Sequence, residues 1–183
     1  HPLIFQSIKQ VNDESYDGRN LLYLIENGIA SLNLHTNLDC CPGGVNDVLA
    51  SRLGLADIEI LNPVGTDAKG RPYGLVRMGE VAEQPLAAFA AFVKRALSCP
   101  GVRFSDAGKL VRKVAGGGGS CGSEIGDVIA AGCDTFVTAD LKYNHFEEAK
   151  YRGLNLIDAG HFETENPICG VLEGILREAF PEI

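Results

Sequence analysis

The chain has 183 residues, of which 45% are apolar, 22% charged and 7% aromatic, enough for one domain or two small interlocked ones with a real core. That balance excludes a disordered tail or low-complexity spacer, and the longest apolar run, residues 86–93, is far short of the ~20 residues a bilayer-spanning helix needs. With 16 lysines and arginines against 24 acidic residues, the net charge of -8 repels phosphate backbones, so neither a nucleic-acid nor a membrane partner is expected.

The first residue is a histidine and nothing resembles a signal peptide, so the chain is expected to be processed or a fragment. Residues 29–34 (Ile-Ala-Ser-Leu-Asn-Leu) alternate like a strand. They lead into His35-Thr36-Asn37-Leu38-Asp39 and then Cys-Cys-Pro-Gly-Gly, a turn by composition. Asn46 or Asp47 can cap a helix that places Val48, Leu49 and Leu53 on one face and ends at Gly54. Residues 58–61 read as a strand, 63–73 as a linker or hairpin, 75–81 as a strand, and 85–97 as an amphipathic helix opened by Pro85.

The second half repeats strand, glycine turn and helix. Strands are expected at 110–115, 135–138 and 154–157, loops at 116–119 and 160–166, and helices at 123–131 and 146–151. Asn166-Pro167 opens a last helix whose Ile168, Val171, Leu172, Ile175 and Leu176 line one face. This alternation predicts an α/β protein with a mostly parallel sheet covered on both sides. The six cysteines (Cys40, Cys41, Cys99, Cys121, Cys133 and Cys169) contain no C-x-x-C pair, so they read as small, buried, reduced thiols of a cytoplasmic protein.

Chemistry points to the four histidines. His35 and Asp39 flank a turn after one expected strand, and His161 and Glu165 do so after another. Ligands bind at the carboxyl ends of strands in open α/β sheets, so these loops can share a crevice. Imidazole nitrogen with carboxylate oxygen suits zinc, iron, manganese or nickel. Each His-x-x-x-carboxylate pair reads equally as a local hydrogen bond stabilising a turn. His145 reads more readily as a satisfied buried histidine than as a substrate contact.

A competing pattern is Gly117-x-Gly119-x-x-Gly122 after a strand, with Asp140 downstream. It is the dinucleotide-binding fingerprint, although four consecutive glycines also make a flexible tight turn. A free amino-terminal histidine such as His1 can also chelate copper, but the cysteines and the α/β pattern oppose a secreted copper enzyme.

Several segments together resemble a known family. These are His1-Pro2-Leu3-Ile4-Phe5, residues 35–39, Gly43-Gly44-Val45-Asn46-Asp47, Thr138-Ala139-Asp140-Leu141-Lys142-Tyr143 followed by His145, and the run from Asp158 to Glu165. The likeness is to the Nif-three-like dinuclear-metal proteins, often named GTP cyclohydrolase I type two, and it spans nearly the whole chain. It implies two interlocked α/β domains with mostly parallel or mixed sheets flanked by helices, residues 1–62 belonging to the first half and 63–183 to the second. It also implies a homohexamer holding two divalent metal ions per subunit. Carried over by position, His1 and Asp39 share one ion, His161 serves the other, and Glu165 bridges both. His35 lies close to the metals without being a ligand, where it would relay a proton or hold Asp39 by a hydrogen bond.

The sequence departs from the family at Ala139, usually glycine, and in the run 116–119. The histidine expected before His1 and the opening strand-helix-strand unit are missing, so an amino-terminally truncated chain is expected. The expected function is a cytoplasmic metal-dependent hydrolase acting on a nucleotide-like or phosphorylated substrate. Its ions would lower the pKa of water toward ~7, and the 116–119 amides would hold phosphate. The alternatives are a non-catalytic hexameric metal-binding scaffold and a dinucleotide-binding oxidoreductase using Gly117, Gly119 and Gly122.

Overall fold

The structure, a computed structural model, describes residues 2–182, so His1 and Ile183 lie outside the described residues. The chain gathers into two units, His1–Leu38 and Asp39–Ile183. In the first, α1 (Tyr16–Glu26) is opened by Ser15, whose hydroxyl accepts the Gly18 amide at 3.1 Å. Residues 29–34, expected as a strand, pair with no strand among the described residues. Alternation is present there, but a strand persists only where a neighbour completes its hydrogen-bond ladder, and Leu32 is 87% exposed.

A short helix, α2 (Thr36–Cys40), spans the junction. The second unit continues with α3 (Val45–Arg52), β1 (Ala56–Leu61), β2 (Gly65–Thr66), β3 (Pro72–Tyr73), β4 (Val76–Gln84), α4 (Leu86–Ala96), β5 (Arg103–Ser105) and β6 (Val111–Gly116). A single 3-10 turn (Gly122–Glu124) runs into α5 (Ile125–Ala130), followed by β7 (Thr135–Thr138), α6 (Tyr143–Tyr151), β8 (Asn155–Asp158), α7 (His161–Glu165) and α8 (Ile168–Ala179). Residues 63–73 prove to be a hairpin of β2 and β3, its bend held by Asp67, whose Oδ1 accepts the Lys69 and Arg71 amides.

Six strands form one sheet in the order β1-β4-β6-β7-β8-β5. Only β6, β7 and β8 run parallel, the pairs in which α5 and α6 make the crossovers; the other neighbours are antiparallel. The sheet is therefore mixed rather than mostly parallel. It runs through the expected division at 62/63, because β1 is hydrogen-bonded to β4. Adjacent residues of the central strands face opposite sides. Val114, Val137 and Ile157 meet Leu49 of α3, Leu53 just past its end, and Phe89 and Val93 of α4 on one side. Ala115, Phe136 and Leu156 meet Ile125, Val128 and Ala149 of α5 and α6 on the other. At one sheet edge the β1 register slips between Ala56 and Glu59, where Asp57 has φ +49; at the other lies β5, only three residues long.

The apolar stripe expected on α8 forms, but only Ile168 is buried within this helix. Among the described residues no helix is long and apolar enough to cross a membrane. All six cysteines are free; Cys99, Cys121 and Cys133 are buried, Cys40 and Cys41 half-buried, and Cys169 exposed.

Neither Asn46 nor Asp47 caps α3, because tertiary partners claim both side chains. Gly44 is the N-cap, Asp47 accepts the Gly43 amide and pairs with the buried Arg77, and Asn46 points into the core. The Asn46 oxygen accepts the Gly118 amide at 2.6 Å, while its amide nitrogen donates to the carbonyls of Asp39 (3.1 Å) and Leu75 (2.5 Å). Asn46→Ala leaves the buried Gly118 amide and two partly buried carbonyls without this partner and is expected to cost roughly 2–4 kcal/mol of unfolding free energy. Urea unfolding with a lowered midpoint and unchanged slope is the expected result; an unchanged midpoint would show that these bonds contribute nothing.

Candidate functional site

The carboxyl ends of the parallel strands β6, β7 and β8 lie on one edge of the sheet, and the loops leaving them build the site. After β8, Gly160 turns the chain at φ +89, and residues expected as a loop instead form α7. His161 and Glu165 stand four apart on that helix and so share a face, with Nε2 3.1 Å from Oε1. Both remain partly exposed, 26% and 30%, so the outer edge of the pair reaches solvent. Thr164, fully buried, ties the helix inward: its hydroxyl donates to the Gly160 carbonyl at 2.9 Å and accepts the Gly119 amide at 3.0 Å.

From the loop after β7, the Asp140 carboxylate approaches the other ring nitrogen, with Oδ2 2.7 Å from His161 Nδ1. The buried Asp158, at the end of β8, fixes both loops. Its Oδ1 accepts the Gly160 amide at 3.1 Å, its Oδ2 accepts the Leu141 amide at 3.1 Å, and Arg103 pairs with it. One carboxylate thus anchors the backbone next to His161 and next to Asp140.

The glycine run does not serve as a phosphate cradle. The Gly117 amide donates to the Val137 carbonyl (3.0 Å), that of Gly118 to Asn46, that of Gly119 to Thr164, and that of Cys121 to the Thr138 hydroxyl (3.1 Å). The acid that the dinucleotide fingerprint assigns to a ribose, Asp140, is engaged with His161. A β-carbon on Gly122 would stand 2.7 Å from His145 Cε1. That ring's Nδ1 accepts the Lys142 amide at 3.2 Å, so His145 closes the first turn of α6. Glycine is required at 119 for space: its φ is +64, and a β-carbon there would overlap Glu165 Oε1 and stand 3.0 Å from His161 Nε2.

Asp39 lies near the end of α2, its backbone held by Asn46 and that of the next residue by Arg77, whose Nη2 donates to the Cys40 carbonyl at 3.3 Å. Burial, with the charges of Glu124, Asp39 and Glu165, pushes the Cys121 thiol up to about 12. That sulfur stays protonated at neutral pH, and the carboxylates of Asp39 and Glu165 both act on it. Among the described residues no three His, Cys, Asp or Glu side chains are arranged to hold a metal ion. His161 and Glu165 supply one nitrogen and one oxygen donor, the chemistry a divalent ion of the zinc, iron, manganese or nickel type takes. His1 lies outside the described residues. His35 belongs to the first unit, half-buried, with its ring edge-on to Phe5 at 5.9 Å between centroids.

Fold and site together define an α/β protein with an imidazole–carboxylate pair at the carboxyl ends of three parallel strands. Over residues 1–183 the chain matches the Duf34/NIF3 (NGG1p interacting factor 3) family, and it belongs to that family. A Streptomyces coelicolor relative named GTP cyclohydrolase 1 type 2 homolog is 39% identical over 175 residues, 92% of this chain and 61% of the relative. One of the same name from Clostridium perfringens is 31% identical over 170 residues, 92% of this chain and 64% of the relative. The chain thus spans just under two thirds of the length of these two relatives. The crystal structure of a Staphylococcus aureus hypothetical protein superposes with a TM-score of 0.88 at 31% identity, covering 99% of this chain and 71% of that one.

Two outcomes follow from this geometry. Gly119→Ala forces the His161–Glu165 pair apart and strains the backbone, so the melting temperature should fall; an unchanged melting temperature would show that this position carries no steric demand. The second concerns pH. Burial alone would lower the His161 pKa, but the Asp140 hydrogen bond and the charges of Glu165 and Asp140 outweigh it and raise it above the ordinary 6.5. With the folded value above the unfolded one, the stabilisation is fully present below about pH 6.5 and is lost as pH rises through the raised value. The melting temperature of metal-free protein, compared with His161→Gln, should converge on that of the variant at alkaline pH. A difference that widens with pH contradicts this.

Proposed function

We propose that this chain is part of a metal-dependent hydrolase with a dinuclear divalent centre, acting on a nucleotide-like or phosphorylated small molecule within a homohexamer. His1 and Asp39 would hold one ion and His161 the other, with Glu165 supplying an oxygen to each. The observation that carries the reading is the His161–Glu165 pair, both donors on one face of α7 at 3.1 Å, with Asp140 behind the imidazole. When bound, such ions supply Lewis acidity, bringing the pKa of water toward ~7 and neutralising phosphate charge.

The chain's own residues then do the following. His161 offers a nitrogen lone pair while Asp140 holds the far side of its ring. Glu165 has two oxygens and can face two positive charges at once, which a single imidazole nitrogen cannot do. Gly119, lacking a side chain, lets Glu165 and the His161 ring pack against its backbone, and Asp158 holds the two loops at fixed separation. His35 relays a proton between substrate and solvent. The names of the curated relatives favour a GTP-type substrate, but no residue in the site selects guanine. The second reading, a metal-binding scaffold, predicts closed coordination with four protein ligands per ion. Even with the histidine that the family motif places before His1, five ligands would leave positions open at two ions, which favours catalysis.

Glu165→Ala should remove both ions, read by elemental analysis of the purified protein, while circular dichroism stays unchanged. Metal content equal to that of the unaltered protein would defeat the ligand assignment.

A further inference from the structure

We propose that Asp140 is a positioning residue: it holds the His161 proton on Nδ1 and so aims the Nε2 lone pair toward Glu165, at the place where a divalent cation binds. The inference rests on the metal-centre reading above and extends it to a residue outside the ligand set.

Two observations carry it. The first is the arrangement around the ring, with Asp140 Oδ2 2.7 Å from Nδ1 and Glu165 Oε1 3.1 Å from Nε2. A neutral imidazole has one N–H. With the proton on Nε2, a carboxylate would face a bare lone pair at 2.7 Å, two acceptors in contact. With the proton on Nδ1, the same distance is a short charge-assisted hydrogen bond. The bare Nε2 then faces Glu165 at the longer 3.1 Å: either neutral tautomer leaves one lone pair against a carboxylate, the proton serves the closer contact to Asp140, and a cation between Nε2 and Glu165 satisfies the other. A histidine ligand whose second nitrogen donates to a carboxylate is the usual way a protein fixes ring orientation and raises donor strength.

The second observation is the backbone. Asp140 has φ +53, a left-handed conformation that strains an L-residue and that glycine adopts freely. Its neighbours are anchored on both sides: the Ala139 amide donates to the Gly119 carbonyl at 2.9 Å and the Leu141 amide to Asp158. The chain thus holds a strained residue at a position where glycine would relieve the strain, and its side chain lies against His161. Strain held in place by surrounding bonds beside a ligand pair marks a function for the side chain.

Two substitutions separate side chain from backbone. Asp140→Asn keeps an acceptor oxygen and tolerates the left-handed conformation, whereas Asp140→Gly relieves the backbone and removes the acceptor. Long-range nitrogen–proton correlation spectra of metal-free protein, recorded where the ring is neutral, should show His161 protonated on Nδ1 in the unaltered protein and in Asp140→Asn. In Asp140→Gly the proton should move to Nε2, toward Glu165, with no loss of melting temperature. Titration with Co(II), followed by visible absorption, should weaken about 10- to 100-fold in Asp140→Gly and only a few-fold in Asp140→Asn. An Nε2–H ring in the unaltered protein overturns the proposal, as does an Asp140→Gly variant with unchanged tautomer and Co(II) affinity. Failure of the unaltered protein to bind Co(II) defeats the metal-centre reading instead, and the tautomer measurement then judges the hold of Asp140 on His161 by itself.

Discussion

The fully buried Asn46 amide ties the Asp39 carbonyl, the Leu75 carbonyl and the Gly118 amide, three stretches of backbone that the sequence keeps far apart. Each polar atom of the side chain is used, which makes its burial tolerable in a medium where an unpaired amide is costly. Around this knot Arg77 adds bonds to the Gly74 and Cys40 carbonyls and to Asp47. The backbone of Asp39 is thereby fixed to the start of β4 and to the glycine loop after β6. The candidate site is built on backbone held by buried polar side chains, not on freely moving surface loops.

The glycine loop has a corresponding role. Its amides are turned inward to Asn46, Thr164 and Val137, and its missing side chains admit Glu165 and the His161 ring. Such a loop reads in sequence as a nucleotide cradle because glycine serves two purposes, exposing amides to a ligand or letting heavy side chains come close. Only packing distinguishes them, and here close approach wins.

Much of the frame was legible in the residues. The strands β7 and β8 are short β-forming runs flanked by glycine and aspartate, β6 carries Arg112 and Lys113 between valines and runs into the glycine loop, and α4 carries a clear helical period after Pro85. The mixed character of the sheet was hidden, because strand direction depends on which partner a strand finds. β5 has too few residues to show alternation. His-Phe-Glu-Thr-Glu has no apolar period to mark α7 as a helix; Thr164 supplies the anchoring by bonding to Gly119. At the site, the i,i+4 spacing gave His161 and Glu165, and the likeness of motifs gave the family. Asp140 stands in the sequence as the acid of the dinucleotide fingerprint and inside a family motif; its contact with His161 has no local signal, since it joins loops 21 positions apart. Asn46 and Asp47 looked like helix caps because capping and tertiary bonding draw on the same side chains.

The slipped register of β1, with Asp57 in a left-handed conformation, gives that rim of the sheet a kink and an acidic side chain where a straight ladder would stand open. On the far rim, β5 exposes only three residues of backbone. Neither border presents the long, flat row of unsatisfied amides that lets one chain recruit another by adding strands. The sheet is thereby guarded against end-to-end growth into fibres, even though its middle strands are strongly β-forming.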